Sequence, residues 1–103
     1  IPLIQGWGMT ETSPLCVLSH PPADTCGDEA QRLRAKSGRP VAGVRVRIVD
    51  DNGDRVPEDG RSIGRLQLRG VWIARGYHRG AGAGVLTEDG WLDTGDAGSI
   101  DER

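Results

Sequence analysis

Apolar and charged residues alternate from position 44 to position 48, and this period of two constrains the fold more than any other feature of the sequence. The apolar residues at 44, 46 and 48 share one face of an extended strand, and the arginines between them share the other. Residues 51–54, D-N-G-D, predict a hairpin turn, because Asn and Gly accept the positive φ angles of tight turns. A second turn at 57–60 leads into an apolar stretch with Leu66 and Leu68. We expect the two stretches to pair as antiparallel strands.

The second of these strands is expected to continue past Gly70, with Trp72 and Ala74 on the face of Leu66 and Leu68. The arginines on the opposite faces are interpreted as solubilising charge. They are Arg45, Arg47, Arg65 and Arg69.

Glycine occurs 16 times and phenylalanine is absent, a composition that suits turns and short strands better than a thick helical core. One mostly polar helix is predicted, about residues 28–36, with Thr25 or Asp28 as its cap and Gly38 at its end. Residues 1–5 are predicted to form a short buried strand. The sequence therefore predicts a mainly β fold.

Thirteen basic and fifteen acidic residues give a net charge of -2, which offers no broad positive field for nucleic acid. No apolar run is long enough to cross a bilayer, and Cys16 and Cys26 are expected to be reduced thiols. These features favour a cytoplasmic protein. Both ends are interpreted as internal to a longer chain, because the sequence opens within an apolar run and closes on a polar D-E-R.

Residues 6–11, G-W-G-M-T-E, contain the groups that a nucleotide needs. The glycines let a ligand approach the backbone, and the Trp7 indole can lie against a purine. The Thr10 hydroxyl can donate to a phosphate oxygen, and Glu11 offers the oxygen that Mg²⁺ takes beside substrate phosphates. The simpler alternative is a glycine-rich turn with Trp7 in the core and Glu11 as a solvated cap.

Residues 90–96, G-W-L-D-T-G-D, are predicted to form a turn, followed by a strand at 97–100. A carboxylate just past the turn, Asp96, could accept hydrogen bonds from both hydroxyls of a ribose. The alternative is that Asp96 bonds only to nearby backbone, as turn residues often do.

Together the two motifs resemble those of the adenylate-forming superfamily, which includes acyl-CoA synthetases, peptide-synthetase adenylation domains and luciferases. W-G-M-T-E is similar to its aromatic-G-x-T-E motif, and residues 90–96 are similar to its G-W-x-x-T-G-D motif. Residues 38–44 and 64–70 resemble its G-R-P-x-P-G-x and G-E-L-x-x-x-G stretches, although Arg65 stands where Glu is usual. Residues 79–85 also depart from the family's N-x-P-E-x-T-type segment. The resemblance covers nearly the whole chain.

Within the superfamily, the chain looks most like the medium- to long-chain fatty-acid–CoA ligases. The stretches that carry this likeness are W-G-M-T-E-T-S-P-L, R-A-K-S-G-R-P at 34–40 and E-D-G at 58–60. The resemblance implies a small, distorted β-barrel-like subdomain with one or two short helices, a fragment of a larger α/β fold. Residues 1–37 would end the nucleotide-binding α/β region, and residues 38–103 would form the β-subdomain.

The resemblance also implies roles for individual residues. Gly6 and Trp7 would lie at the nucleotide, with the indole beside the adenine. Gly8 and Met9 would line the junction of the nucleotide and acyl pockets. Thr10 would contact both the phosphate and the metal ion. Glu11 would bind the Mg²⁺, and Asp96 would bind the ribose.

The implied reaction joins a fatty acid to AMP with ATP and then transfers the acyl group to coenzyme A. ATP, Mg²⁺ and CoA are the implied cofactors, and the rest of the enzyme chain is the implied partner. No catalytic residue is expected here, because the family's phosphate loop and C-terminal lysine are not among these residues. The piece alone should be inactive, and its exposed apolar faces favour a homodimer. The alternatives are a non-catalytic β-rich interaction module and an adenylation enzyme for another carboxylic acid.

Overall fold

The computed structural model describes residues 3–76, 78 and 85–102. Its described elements are six strands, one α-helix and one 3₁₀ turn, so the mainly β prediction is confirmed. The chain divides into two compact units, Ile1–Gly43 and Val44–Arg103. Each unit contains one three-stranded antiparallel sheet.

The sheet of the first unit consists of β1 (Gly6–Gly8), β2 (Leu15–Leu18) and β3 (Arg39–Pro40), in that order. The predicted strand at 1–5 is wrong for its described part, since residues 3–5 lie outside every strand. Gln5 is instead tied to Ser19: its N–H donates to the Ser19 hydroxyl at 2.7 Å, and its carbonyl accepts from the Ser19 N–H at 2.8 Å. Regular pairing begins only at Gly6.

The helix α1 covers Gly27–Arg34, close to the predicted 28–36. Its predicted caps are wrong, because the N-cap is Cys26 without a side-chain cap, and the Thr25 hydroxyl donates back to Pro22 at 2.6 Å. Acidic residues in its first turn and basic residues in its last turn complement the helix dipole instead. No helix of the described residues is long and apolar enough to cross a membrane.

Gly38 also differs from its predicted role. It takes a φ of 114°, and a Cβ there would run into the backbone of Leu18. A glycine is therefore required at position 38 because the backbone passes close to β2, and not because the helix ends there. Both cysteines are free, as expected, and burial raises the pKa of the Cys16 thiol to about 11.

The sheet of the second unit consists of β4 (Val44–Val49), β5 (Gly64–Gly70) and β6 (Leu92–Gly98), in that order. The predicted pairing of β4 with β5 is confirmed. The predicted turn at 51–54 is also confirmed, since the Asp50 carboxylate accepts the N–H groups of Asn52 and Asp54 at 2.9 and 3.0 Å. Among the described residues of this unit, the buried apolar side chains are Val44, Ile48, Val49, Leu68, Ile73, Trp91 and Leu92.

Two predictions for this unit are wrong. β5 ends at Gly70, and the Trp72 beyond it is 39% exposed, so it does not share a buried face with Leu68. The turn expected at 90–96 instead lies earlier, where the Gly90 N–H donates to Thr87 at 3.0 Å. Residues 92–96 belong to β6. The glycine-rich stretch at 79–84 lies outside the described residues.

Candidate nucleotide-binding site

The first motif leads from β1 into a 3₁₀ turn, Thr10–Thr12, that is built around the fully buried Thr12. The Thr12 hydroxyl accepts the N–H of Met9 at 3.0 Å and can donate to the carbonyl of Met9 or of Pro14. The Thr12 N–H donates to Met9 at 2.9 Å. Thr12 therefore holds the turn closed from inside, while Thr10 is exposed and Glu11 half-buried.

Thr12 was not among the site residues predicted from the sequence. A signal for it is the T-E-T spacing, because residues two apart on a tight turn point to different sides. One threonine then supports the turn, and the other faces outward.

Trp7 is half-buried in β1 opposite Val17, between two exposed glycines. A Cβ at Gly8 would fall onto the carbonyl oxygen of Pro14, so this glycine is required by the approach of the chain itself. Gly6 is less crowded, its nearest neighbour being the Leu15 side chain at 3.1 Å. Part of the indole is therefore exposed, and no side chain projects from the two residues that flank it in β1.

Thr10 and Glu11 offer one hydroxyl and one carboxylate at adjacent positions. Among the described residues, no three or more His, Cys, Asp or Glu side chains are grouped to hold a metal ion. Mg²⁺ fits, since it is commonly held by one or two carboxylates together with waters and substrate phosphates.

The second motif lies on a bulge of β6. Asp93 pairs with Gln67 of β5, and Ala97 pairs with Arg65. The three residues 94–96 therefore stand opposite the single residue Leu66. Gly95 takes a φ of 75° there, a left-handed conformation that glycine adopts at little cost. Such a bulge bends the strand and re-aims its side chains.

Side chains of the motif itself hold this bulge. The Thr94 hydroxyl donates to the carbonyl of Leu66 at 2.8 Å and accepts the N–H of Asp96 at 3.1 Å. The Asp93 carboxylate accepts the N–H of Gly95 at 3.1 Å. The Asp96 side chain is exposed. The bulge therefore presents one carboxylate to solvent on a backbone that its neighbours fix.

Arg47 lies beside this bulge and is not the exposed, solubilising charge that the alternation predicted. Its side chain is 12% exposed and makes two hydrogen bonds to the Asp89 carboxylate, at 2.8 and 3.2 Å. Its guanidinium carbon lies 4.4 Å from the centre of the Trp91 ring. The hydrogen bonds from Arg47 and from the Thr87 hydroxyl lower the pKa of the Asp89 carboxyl to about 2.

The predicted site residues fall into two groups. Gly6, Trp7, Gly8, Met9, Thr10 and Glu11 lie together on one strand and one turn of the first unit. Asp96 lies on the bulge of the second unit. Their convergence on one ligand stays a prediction.

Comparison with known proteins gives matches over nearly the whole chain. A family model described as AMP-binding enzyme matches residues 1–78. The medium-chain-fatty-acid–CoA ligase of Ectopseudomonas oleovorans is 44% identical over 104 residues, which cover 98% of this chain and 19% of that ligase. The 3-methylmercaptopropionyl-CoA ligase of Ruegeria pomeroyi is 41% identical over 101 residues, which cover 95% of this chain and 19% of that ligase.

A solved structure gives a similar result. The crystal structure of ATP-bound MatB from Rhodopseudomonas palustris matches with a TM-score of 0.78 at 30% identity, over 98% of this chain and 19% of that one. The chain therefore spans about a fifth of the length of the relatives that it matches.

Proposed function

The chain belongs to the AMP-binding enzyme family of adenylate-forming ligases, and we propose that it is the nucleotide-positioning part of an AMP-forming acid–CoA ligase. The substrates of the complete enzyme would be a carboxylic acid, ATP and coenzyme A. The proposal separates two tasks: residues 6–11 hold the adenine and the phosphate, and Asp96 holds the ribose.

In the proposed reaction, an oxygen of the substrate carboxylate attacks the α-phosphorus of ATP. The bond from that phosphorus to the bridging oxygen breaks, and pyrophosphate leaves. Thr10 donates a hydrogen bond from its hydroxyl to an α-phosphate oxygen, and Glu11 would hold Mg²⁺ beside the phosphates. When bound, Mg²⁺ offsets the negative charge that develops on the phosphoryl oxygens. The CoA sulfur then attacks the acyl carbon, the bond from that carbon to the AMP phosphate oxygen breaks, and the thiol proton is released to solvent as AMP leaves.

The chain's other residues would position the nucleotide for this step. The Asp96 carboxylate accepts hydrogen bonds from the ribose hydroxyls, which fixes the sugar on the bulge of β6. Trp7 covers one side of the adenine, beside the exposed backbone of Gly6. Such positioning contributes to rate because it converts binding energy into orientation of the reacting atoms.

The observation that supports the proposal most directly is the bulge at 94–96. The bonds that hold it, among the described residues, use the side chains of Asp93 and Thr94 and only the N–H of Asp96. An exposed carboxylate on a fixed backbone is a suitable acceptor for two adjacent hydroxyls.

For the acid, we propose a medium- to long-chain fatty acid, supported by the motif resemblance and by the 44% identical ligase of Ectopseudomonas oleovorans. The second candidate is a different class of acid, which the 41% identical 3-methylmercaptopropionyl-CoA ligase favours. A medium- to long-chain acid would need an apolar acyl pocket, and the chain would contribute Gly8 and Met9 to its junction with the nucleotide.

The test is a substrate panel on the complete enzyme. Release of pyrophosphate is measured with ATP, Mg²⁺, CoA and straight-chain acids of increasing length, with 3-methylmercaptopropionate and an aryl acid as competitors. We expect kcat/KM to be highest for a medium or long chain. A preference for one of the competitors would overturn the fatty-acid assignment alone. Absence of acid-dependent pyrophosphate release with every acid would overturn the ligase assignment.

A further inference from the structure

Gln67 is a buried amide, 2% exposed, in the middle of β5. Its Oε1 accepts the Nε–H of Arg47 at 2.8 Å, and its Nε2 donates to Asp93 at 3.3 Å. Because Arg47 is always a donor, the Gln67 oxygen must face it, and the amide nitrogen must face the carboxylate. The side chain is therefore fixed in one orientation by partners on both neighbouring strands.

This amide is connected to the bulge through Asp93. One carboxylate oxygen of Asp93 accepts from Gln67, and the other accepts the N–H of Gly95. Gly95 is directly followed by Asp96. Asp93 thus links Gln67 to the bulge that carries Asp96, and the oxygen that faces Gln67 also lies 3.5 Å from the Arg65 guanidinium.

We propose that Gln67 is a positioning residue for nucleotide recognition: through Asp93 it sets the placement of Asp96, and so the selectivity of the enzyme for the ribose hydroxyls. The inference rests on the proposed function, since it takes Asp96 as the ribose acceptor. Gln67 itself touches no substrate. The desolvation cost of this buried amide is offset by its hydrogen bonds to Arg47 on β4 and to Asp93 on β6.

Exchanging the donor and the acceptor of the Gln67–Asp93 hydrogen bond tests the inference. Gln67→Glu keeps an acceptor for Arg47 but places a second acceptor against Asp93. Asp93→Asn alone places two donors against each other. The double variant Gln67→Glu/Asp93→Asn restores one donor and one acceptor in reversed order, and Asn still offers an oxygen to the N–H of Gly95. Arg65, 3.5 Å from Asp93 and 46% exposed, can turn into solvent in this variant.

The measurement uses the complete enzyme and the ratio of kcat/KM for ATP to kcat/KM for 2′-deoxy-ATP or 3′-deoxy-ATP. Hydrogen bonds to a charged acceptor lead us to expect a ratio of roughly 10 to 100 in the unaltered enzyme. Each single variant should lower the ratio by about fivefold or more, and the double variant should return it to within about twofold. Arg45→Gln, an exposed change on β4, is the control and should leave the ratio unchanged.

Thermal unfolding is recorded for every variant, because a purely structural role would lower the melting temperature without changing the ratio. That result in both single variants would overturn the inference while the ribose site stands. If one single variant fails to fold, the other and the double variant still decide the outcome. If the unaltered enzyme shows no preference for ATP, or Asp96→Ala keeps the preference, the ribose site itself is wrong and the inference falls with it.

Discussion

The guanidinium of Arg47 lies over Trp91, with its central carbon 4.4 Å from the ring centre. Trp91 is buried, so one face of the motif's tryptophan is covered by a cation of the same sheet. The tryptophan of G-W-L-D-T-G-D therefore supports the sheet. The ligand-facing part of this motif is the carboxylate at its other end, Asp96.

This stacking makes Arg47→Lys a destabilising change despite the conserved charge. Lysine cannot make the two parallel bonds to Asp89, leaves the Gln67 oxygen without its donor and stacks less well on Trp91. We expect a loss of about 1 to 3 kcal/mol in the free energy of unfolding. Urea unfolding of the complete enzyme measures it, with Arg45→Lys as the matched exposed control. Equal stabilities of the two variants would show that the contacts of Arg47 do not stabilise the fold.

The pair of Arg47 with Asp89 also predicts a pH dependence. The pKa of Asp89 is about 2 in the folded chain, below the value of about 3.9 for a free carboxyl, so the folded state holds its proton less tightly than the unfolded state. The stabilisation is therefore present above about pH 4 and is lost as the pH falls through about 2.

Comparison of the unaltered enzyme with Asp89→Asn at several pH values measures this effect. The stability difference between the two should be largest near neutral pH and should shrink between about pH 4 and pH 2. Added salt should reduce it too, because Asp89 is largely exposed. A difference that stays constant across this range would show that Asp89 is not held by Arg47.

The buried hydroxyl of Thr12 gives a third prediction. Thr12→Val keeps the shape of the side chain but removes the acceptor for the Met9 N–H, and Thr12→Ser keeps the hydroxyl. Val should lower the free energy of unfolding by about 1 to 3 kcal/mol and Ser by less. Because Thr10 and Glu11 lie on the same turn, Val should also lower kcat more than it raises KM for the acid. Similar kcat values for the two variants would show that the turn does not depend on this hydroxyl.

Local sequence patterns were sufficient to predict β4, its turn and its pairing with β5. The alternation at 44–48 and the D-N-G-D turn act over a few residues, and the apolar side decides the buried face. The helix was also found within two residues of its observed ends. The motifs predicted the family, which the match to residues 1–78 confirms.

Features that depend on distant partners could not be predicted in the same way. Arg47 looked like a solvated charge because its partner Asp89 lies 42 positions away, and only folding brings the two together. Gly95 and Asp96 have low strand preference, so T-G-D looked like a turn. A bulge accommodates them within β6 because Leu66 on the neighbouring strand supplies the acceptor.

The roles of the individual site residues stay predictions, and Glu11 offers the most specific one. Glu11→Gln keeps the size of the side chain but removes the negative charge with which the carboxylate competes with water for Mg²⁺. The variant should need a higher Mg²⁺ concentration for half-maximal adenylation and should have a lower kcat at saturating Mg²⁺, by roughly 10-fold or more. Its KM for the acid should change little, because Glu11 is proposed to act at the phosphates.

Pyrophosphate release in a Mg²⁺ titration measures both the Mg²⁺ requirement and kcat. Glu58→Gln, an exposed change in the turn before β5, is the charge-matched control. An identical Mg²⁺ dependence in the Glu11 and Glu58 variants would remove Glu11 from the metal site and leave the turn at Thr10–Thr12 with a structural role alone.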